Sequence, residues 1–160
     1  MTPKRILFVC TGNSCRSVMA QGILQQMLEQ AQLASVQVES AGVFAIDGMA
    51  STRETQRVLQ AVGVDATAHR ARSLTPQMVA EADLVLVMEQ FQVEEILRRA
   101  PSTKEKVHLL KTYGASPGEV TENPNIPDPI GKPLEVYEVC FAEIKEAVER
   151  VAKTVGLNPA

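Results

Sequence analysis

ILFVCTGNSCRS, residues 6–17, decides how the chain is read. Four apolar residues, Ile6 to Val9, run into Cys10 without a polar break, as in a strand buried on both faces. A tight polar loop follows and closes on Arg16 and Ser17. Directly after it, Met19, Ile23, Leu24, Met27, Leu28 and Ala31 fall at helical spacing over residues 17–33. A strand, a tight loop and a helix in that order open a βαβ unit, and ligands of such folds bind beyond the carboxyl ends of the strands. Cys10 stands at such an end.

The rest of the chain continues the pattern. Val36 to Ala41 alternates as a short strand and stops at Gly42, and Thr52 to Val62 is a helix ended by Gly63. Thr75 and Pro76 read as an N-cap and a first-turn proline, opening a short helix through Ala82. Leu84 to Met88 is a continuous apolar run, Gln90 to Arg99 a helix, and Lys106 to Leu110 a fourth strand. Residues 114–133 are rich in Pro, Gly and Asn and read as a long loop before an amphipathic helix from Leu134 to Val155. Strand and helix thus alternate four times. The expected fold is α/β, a four-stranded parallel sheet with helices on both faces and right-handed crossovers, Rossmann-like. With 160 residues, no internal repeat and no linker, a single domain over 1–160 is expected.

Composition narrows the function. A net charge of −3 carries no footprint for nucleic acid, and the longest apolar runs are far too short to cross a bilayer. The N-terminus, MTPKRILFVC, enters a strand rather than a secretory apolar segment. Three cysteines, an odd number, do not form a disulfide framework. A cytoplasmic protein with reduced thiols is expected, with neither nucleic acid nor membrane as partner.

The loop suits a tetrahedral dianion. Gly12 is read as the residue that frees the backbone to curl, so that successive N–H groups of Thr11, Gly12, Asn13, Ser14 and Cys15 form an anion nest at a helix N-terminus. Arg16 then binds two oxygens in a fork, and Cys10 lies beneath the phosphorus. Such a field favours a cysteine in its thiolate form, and Ser17 is placed to donate a hydrogen bond to it. An inert thiol, a surface arginine and a plain N-cap serine explain each residue alone, but not the complete C-x5-R-S pattern between strand and helix. A metal centre on Cys10 and Cys15 needs two more ligands, and Cys140, His69 and His108 show no paired spacing, so no metal or cofactor is expected. A general acid comes from NPNIPDPIGK, residues 123–132, where two prolines hold Asp128 in a stiff loop. The bland alternative there is an Asp-Pro turn.

VCTGNSCRS, ESAGVFA at 39–45, DLVLVME at 83–89 and PDPIGKPLEVY at 127–137 together resemble the low-molecular-weight protein tyrosine phosphatase family, nearly end to end. The resemblance implies metal-free hydrolysis of phosphorylated protein side chains through a cysteinyl-phosphate. It gives Cys10 the role of nucleophile, Arg16 that of phosphate clamp and Asp128 that of general acid. Asn13 matches the residue that holds the loop in its strained curl, Ser17 the partner of the thiolate, and Ser40 a serine of the supporting network. The aromatic residues that follow Asp-Pro in tyrosine-directed members are replaced by Ile130 and Gly131. The bacterial protein arginine phosphatase branch is more similar, through CTGN, SAGVFA and a tyrosine near the start of the last helix. That branch carries Thr where this chain has Ser14. Val18 stands where the family usually has proline, a change of little chemical consequence.

Phosphoarginine is therefore the expected substrate, with phosphotyrosine as the alternative. Thioredoxin-linked arsenate reductases share the loop but need a cysteine pair after the third strand, where MEQFQVEEILRRAPS has none. A phosphate-binding module without catalysis has no need for Cys10 and Asp128. Cys15 is read either as a redox guard that pairs with Cys10 or as a small side chain packed under the loop. HRAR, residues 69–72, is read either as a lure for acidic phosphoprotein or as a solvated face. The sequence does not fix the oligomeric state.

Overall fold

Strand β1 (Arg5–Cys10) lies inside a four-stranded, all-parallel sheet, between β2 (Gln37–Gly42) and β3 (Leu84–Val87), with β4 (Val107–Leu109) on the far side of β3. The structure, a computed structural model, describes residues 2–119 and 123–157. Residues 1, 120–122 and 158–160 lie outside the described residues, among them part of the loop expected over 114–133. β1 is followed by α1 (Arg16–Gln30), β2 (Gln37–Gly42), α2 (Arg53–Gln60) and α3 (Pro76–Glu81). Then come β3 (Leu84–Val87), α4 (Gln90–Arg99), a 3₁₀ turn (Pro101–Lys106), β4 (Val107–Leu109) and α5 (Leu134–Thr154).

The sheet's two faces explain why β1 and β3 are apolar throughout. Side chains alternate across a strand. Ile6, Phe8 and Cys10 of β1, with Leu86 and Met88, join the core under α1 and α5. Leu7 and Val9, with Val85 and Val87, join a second core under α3 and α4. Both faces are covered, so no polar alternation survives in the sequence. Register runs Cys10 to Gly42 on one side of β1 and Val9 to Val87 on the other, which places the carboxyl ends of three strands together.

The expected fold is observed, with local differences. The crossover from β2 to β3 contains two helices, as expected, separated by a segment that carries HRAR. Helix α1 begins at Arg16 with Cys15 as its N-cap residue and no side-chain cap. It ends at Gln30 rather than residue 33, because Gln32 turns left-handed at φ 57° and Leu33 N–H bonds back to the Leu28 carbonyl. Thr75 caps α3 as expected, accepting the Met78 N–H, with Pro76 in the first turn.

Candidate active site

Cys10 is buried at the end of β1, and the chain turns back over it through residues 11–15. The strained residue of that turn is Asn13, at φ 54°, in the left-handed region that Asn tolerates better than most side chains. Gly12 has no left-handed φ, so the curl expected of glycine is carried by asparagine instead. Asn13 is fully buried and uses every polar group it has. Its N–H points at Cys10 Sγ at 3.3 Å, and its Nδ2 donates to Ser17 Oγ at 2.8 Å. Its Oδ1 accepts the Arg72 N–H at 3.0 Å, and its carbonyl meets His69 Nε2 at 2.9 Å. Ser17 Oγ lies 3.0 Å from Cys10 Sγ. Because that oxygen accepts from Asn13, its own hydrogen is left to point at the sulfur. The loop rests on the bare backbone of Gly42: a Cβ there would come within 2.6 Å of the Thr11 oxygen and 2.9 Å of Asn13 N.

Arg16 is 1% exposed, and its guanidinium has two distinct edges. Nη1 is committed, donating to the Glu89 carboxylate and, at 2.7 Å, to the Ile126 carbonyl. Nη2 has only long contacts, 3.4 Å to Thr11 Oγ1 and 3.5 Å to Asp128 Oδ2. Nε is buried and has no partner among the described residues. The Nε–Nη2 edge is therefore the one available to a bidentate anion. Burial works against the charge, but the Cys10 sulfur, Glu89 and Asp128 outweigh it and raise the pKa of Arg16 above its ordinary value. The cation is permanent.

Asp128 sits between Pro127 and Pro129 and is partly exposed. Its Oδ1 accepts the Ile130 N–H at 3.1 Å. The loop that carries it is stitched to the turn between β3 and α4: Ile126 N–H bonds the Met88 carbonyl at 2.9 Å, and Asn125 Oδ1 accepts the Gln90 N–H at 2.9 Å. Thr11 Oγ1 accepts from Gln92 Nε2 at 3.1 Å, and the Ser14 carbonyl accepts the Thr52 N–H at 3.2 Å.

Cys10, Thr11, Gly12, Asn13, Ser14, Cys15, Arg16, Ser17 and Asp128 thus converge. Ser40 does not join them directly. Its hydroxyl donates to Gln21 of α1, and only its carbonyl, 3.3 Å from Arg72 Nε, leads back toward the loop. Cys15 Sγ is buried beside Thr52 Oγ1 at 3.6 Å and Tyr137 Oη at 3.8 Å, the packing under the loop that was one of its two readings. Burial pushes the Tyr137 hydroxyl up to about 12, and burial likewise pushes the Cys140 thiol up to about 12. HRAR is more than a solvated face, since His69 and the Arg72 backbone hold Asn13.

Sequence reasoning missed Glu89, Gln92 and Ile126. Glu89 had a visible signal, a charge placed directly after the buried run LVLVM. Ile126 acts through its carbonyl, which no side-chain pattern announces.

A buried sulfur under a hydroxyl donor, one free guanidinium edge and a carboxylate make up the equipment for nucleophilic attack on a phosphoryl group with an acid at the leaving side. Comparison with known proteins agrees. The description low molecular weight phosphotyrosine protein phosphatase matches residues 5–159. The chain is 38% identical over 151 residues to the protein-arginine-phosphatase of Geobacillus stearothermophilus, covering 94% of this chain and 95% of that one. It is 38% identical over 146 residues to the probable low molecular weight protein-tyrosine-phosphatase EpsP of Ralstonia nicotianae, covering 91% and 92%. A solved structure of YwlE arginine phosphatase with a phosphorylated active site serine matches with a TM-score of 0.84 at 31% identity, covering 93% of each chain.

Proposed function

The chain belongs to the low molecular weight phosphotyrosine protein phosphatase family and is a cysteine-dependent protein phosphatase, and within that family we propose that it acts on phosphoarginine in preference to phosphotyrosine, with Cys10 as nucleophile, Arg16 as phosphate clamp and Asp128 as acid and base. Cys10 Sγ attacks phosphorus while the bond to the leaving nitrogen breaks. Asp128 gives that nitrogen its proton, and the phosphoryl group stays on sulfur. Water then attacks phosphorus, passes a proton to Asp128, and the sulfur departs as thiolate. Backbone groups and the Nε–Nη2 edge of Arg16 hold the phosphoryl oxygens throughout.

The observation that carries the cysteine chemistry is the Arg16 edge whose Nε has no partner among the described residues and whose Nη2 has only long contacts. The preference for arginine is supported by the walls. Ile130 is 55% exposed and Gly131 follows it, so the Asp128 side offers no flat ring. The Asp128 carboxylate, exposed beside the open edge of Arg16, suits a cationic guanidinium. Phosphotyrosine is the second reading because Phe44, whose N–H bonds the Thr11 carbonyl, is exposed next to the loop. A cytoplasmic location is inferred from the cysteine content, three thiols that form no disulfide framework; among the described residues no helix is long and apolar enough to cross a membrane.

The test is kcat/KM on matched phosphoarginine and phosphotyrosine peptides. Wild type is expected to favour phosphoarginine, and Ser14→Thr to keep that order. Ser14→Ile is expected to shift selectivity toward phosphotyrosine by about 10- to 200-fold, the span one methylene-scale contact covers. A wild type that favours phosphotyrosine, with Ser14→Ile no different, overturns the arginine reading. Cys10→Ser is expected to abolish turnover while still binding vanadate, and Asp128→Asn to slow a poor leaving group by roughly 10²–10⁴.

A further inference from the structure

Gln92 is a polar side chain with no exposure at all, one turn into α4. A buried amide is costly unless its hydrogen-bonding groups find partners. Here they do, and the partners lie on two different elements. Gln92 Oε1 accepts the N–H of Met88 at 2.8 Å and of Glu89 at 3.0 Å, which fixes the turn between β3 and α4. Its Nε2 donates to Thr11 Oγ1 at 3.1 Å, in the loop after β1. The two groups it joins are the two that grip Arg16 from opposite ends: the Glu89 carboxylate on Nη1 and the Thr11 hydroxyl near Nη2.

We propose that Gln92 is a positioning residue for phosphate capture, locking the Glu89 turn to Thr11 so that Arg16 presents its Nε–Nη2 edge to the anion. The inference rests on the reading of Arg16 as the clamp. Gln92 touches no reacting atom in this scheme. It acts by keeping Glu89 on Nη1, and a guanidinium held at one edge cannot rotate that edge into the cradle. Without the strut, Glu89 and Thr11 are free to move relative to one another, and Arg16 samples orientations in which the fork no longer faces the phosphate.

The test is the inhibition constant for inorganic phosphate, with kcat and KM, for wild type, Gln92→Met, Thr11→Val, the double variant and Arg16→Lys. Methionine keeps the length of Gln92 and removes both its donor and its strong acceptor. Valine keeps the shape of threonine and removes the hydroxyl. Gln92→Met is expected to raise the phosphate constant about 3- to 10-fold, the worth of a buried hydrogen bond, and Thr11→Val to raise it by a similar or smaller factor. The double variant is expected to be no worse than Gln92→Met alone, because both changes cut one connection. A Gln92→Met protein that melts earlier but binds phosphate as wild type does overturns the proposal, since the residue is then only part of the core. Full multiplication of the two single effects also overturns it. If Gln92→Met fails to fold, Thr11→Val reads the same bond from its other end, and an unchanged phosphate constant there is equally decisive against it. Arg16→Lys separates the two layers: if it too binds phosphate normally, the clamp reading falls and takes this inference with it. If only Arg16→Lys loses phosphate, the clamp stands and the strut is wrong.

Discussion

At Asn13 a backbone requirement and a side-chain requirement fall on one residue, and substitutions can separate them. The left-handed φ costs most side chains about 1–2 kcal/mol and costs glycine little. The side chain ties Ser17 to the Arg72 backbone, and through Ser17 it orients the hydroxyl on Cys10. Asn13→Gly is therefore expected to melt above Asn13→Ala, while both lose kcat by about 10-fold or more. Thermal melts beside initial rates check this, and equal melting temperatures would show that the φ angle is not what asparagine is there to accommodate. Burial pushes Cys140 up to about 12, so alkylation of the native protein at neutral pH is expected to leave it unmodified, as peptide mass spectrometry after iodoacetamide reads directly.

At the scale of elements, the end of β2 and the segment after α2 act as the floor and the side wall of the loop. Gly42→Ala places a carbon against backbone atoms of Thr11 and Asn13, and neither can yield without moving the loop. A loss of about 10² in kcat/KM is expected, the effect of a misplacement near 1 Å. Near-wild-type rates would mean that the loop shifts without harm. His69 supplies the wall and a pH dependence. Burial lowers its pKa, helped by the charges of Arg72 and Arg70 and opposed by its bond to the Asn13 carbonyl. The folded protein thus prefers the neutral ring, and the unfolded chain binds the extra proton. The stability this contributes is fully present above the ordinary imidazole value near 6.5, and it is lost as pH falls from there through the lowered value. His69→Gln is expected to flatten the part of the stability curve below about pH 6.5, measured by urea midpoints from pH 5 to pH 8.

For the molecule as a whole, stability divides from chemistry inside one core, the one that holds both Cys10 and Leu86. Leu86 is fully buried under α1 and α5, away from the loop contacts, and Leu86→Ala is expected to cost about 2–5 kcal/mol in denaturant unfolding while leaving kcat per folded molecule near wild type. The same division governs what could be read in advance. The elements and the loop around Cys10 were legible because burial writes itself into local patterns: LVLV for a two-faced strand, C-x5-R-S for a loop at a strand end. The partners of Arg16 were not: Glu89 stands out as a charge after a buried run, but that it and the Ile126 carbonyl reach Arg16 from 73 and 110 residues away is encoded by no periodicity. The contacts of Ser40 were not legible for a related reason: its neighbour in the sheet is decided by register, which pairs it with Phe8, while its hydroxyl reaches Gln21 and its carbonyl Arg72. The long reach from Arg16 to the Ile126 carbonyl also has a bearing on synthesis. The thiol and its loop leave the ribosome early, and Glu89 follows near mid-chain, but the arginine beside them lacks its second anchor, the Ile126 carbonyl, until the last third of the chain is being made. A nascent chain halted before that point carries Cys10 with Arg16 held at Glu89 alone and without Asp128, so the birth of the enzyme is timed by its end rather than by its beginning.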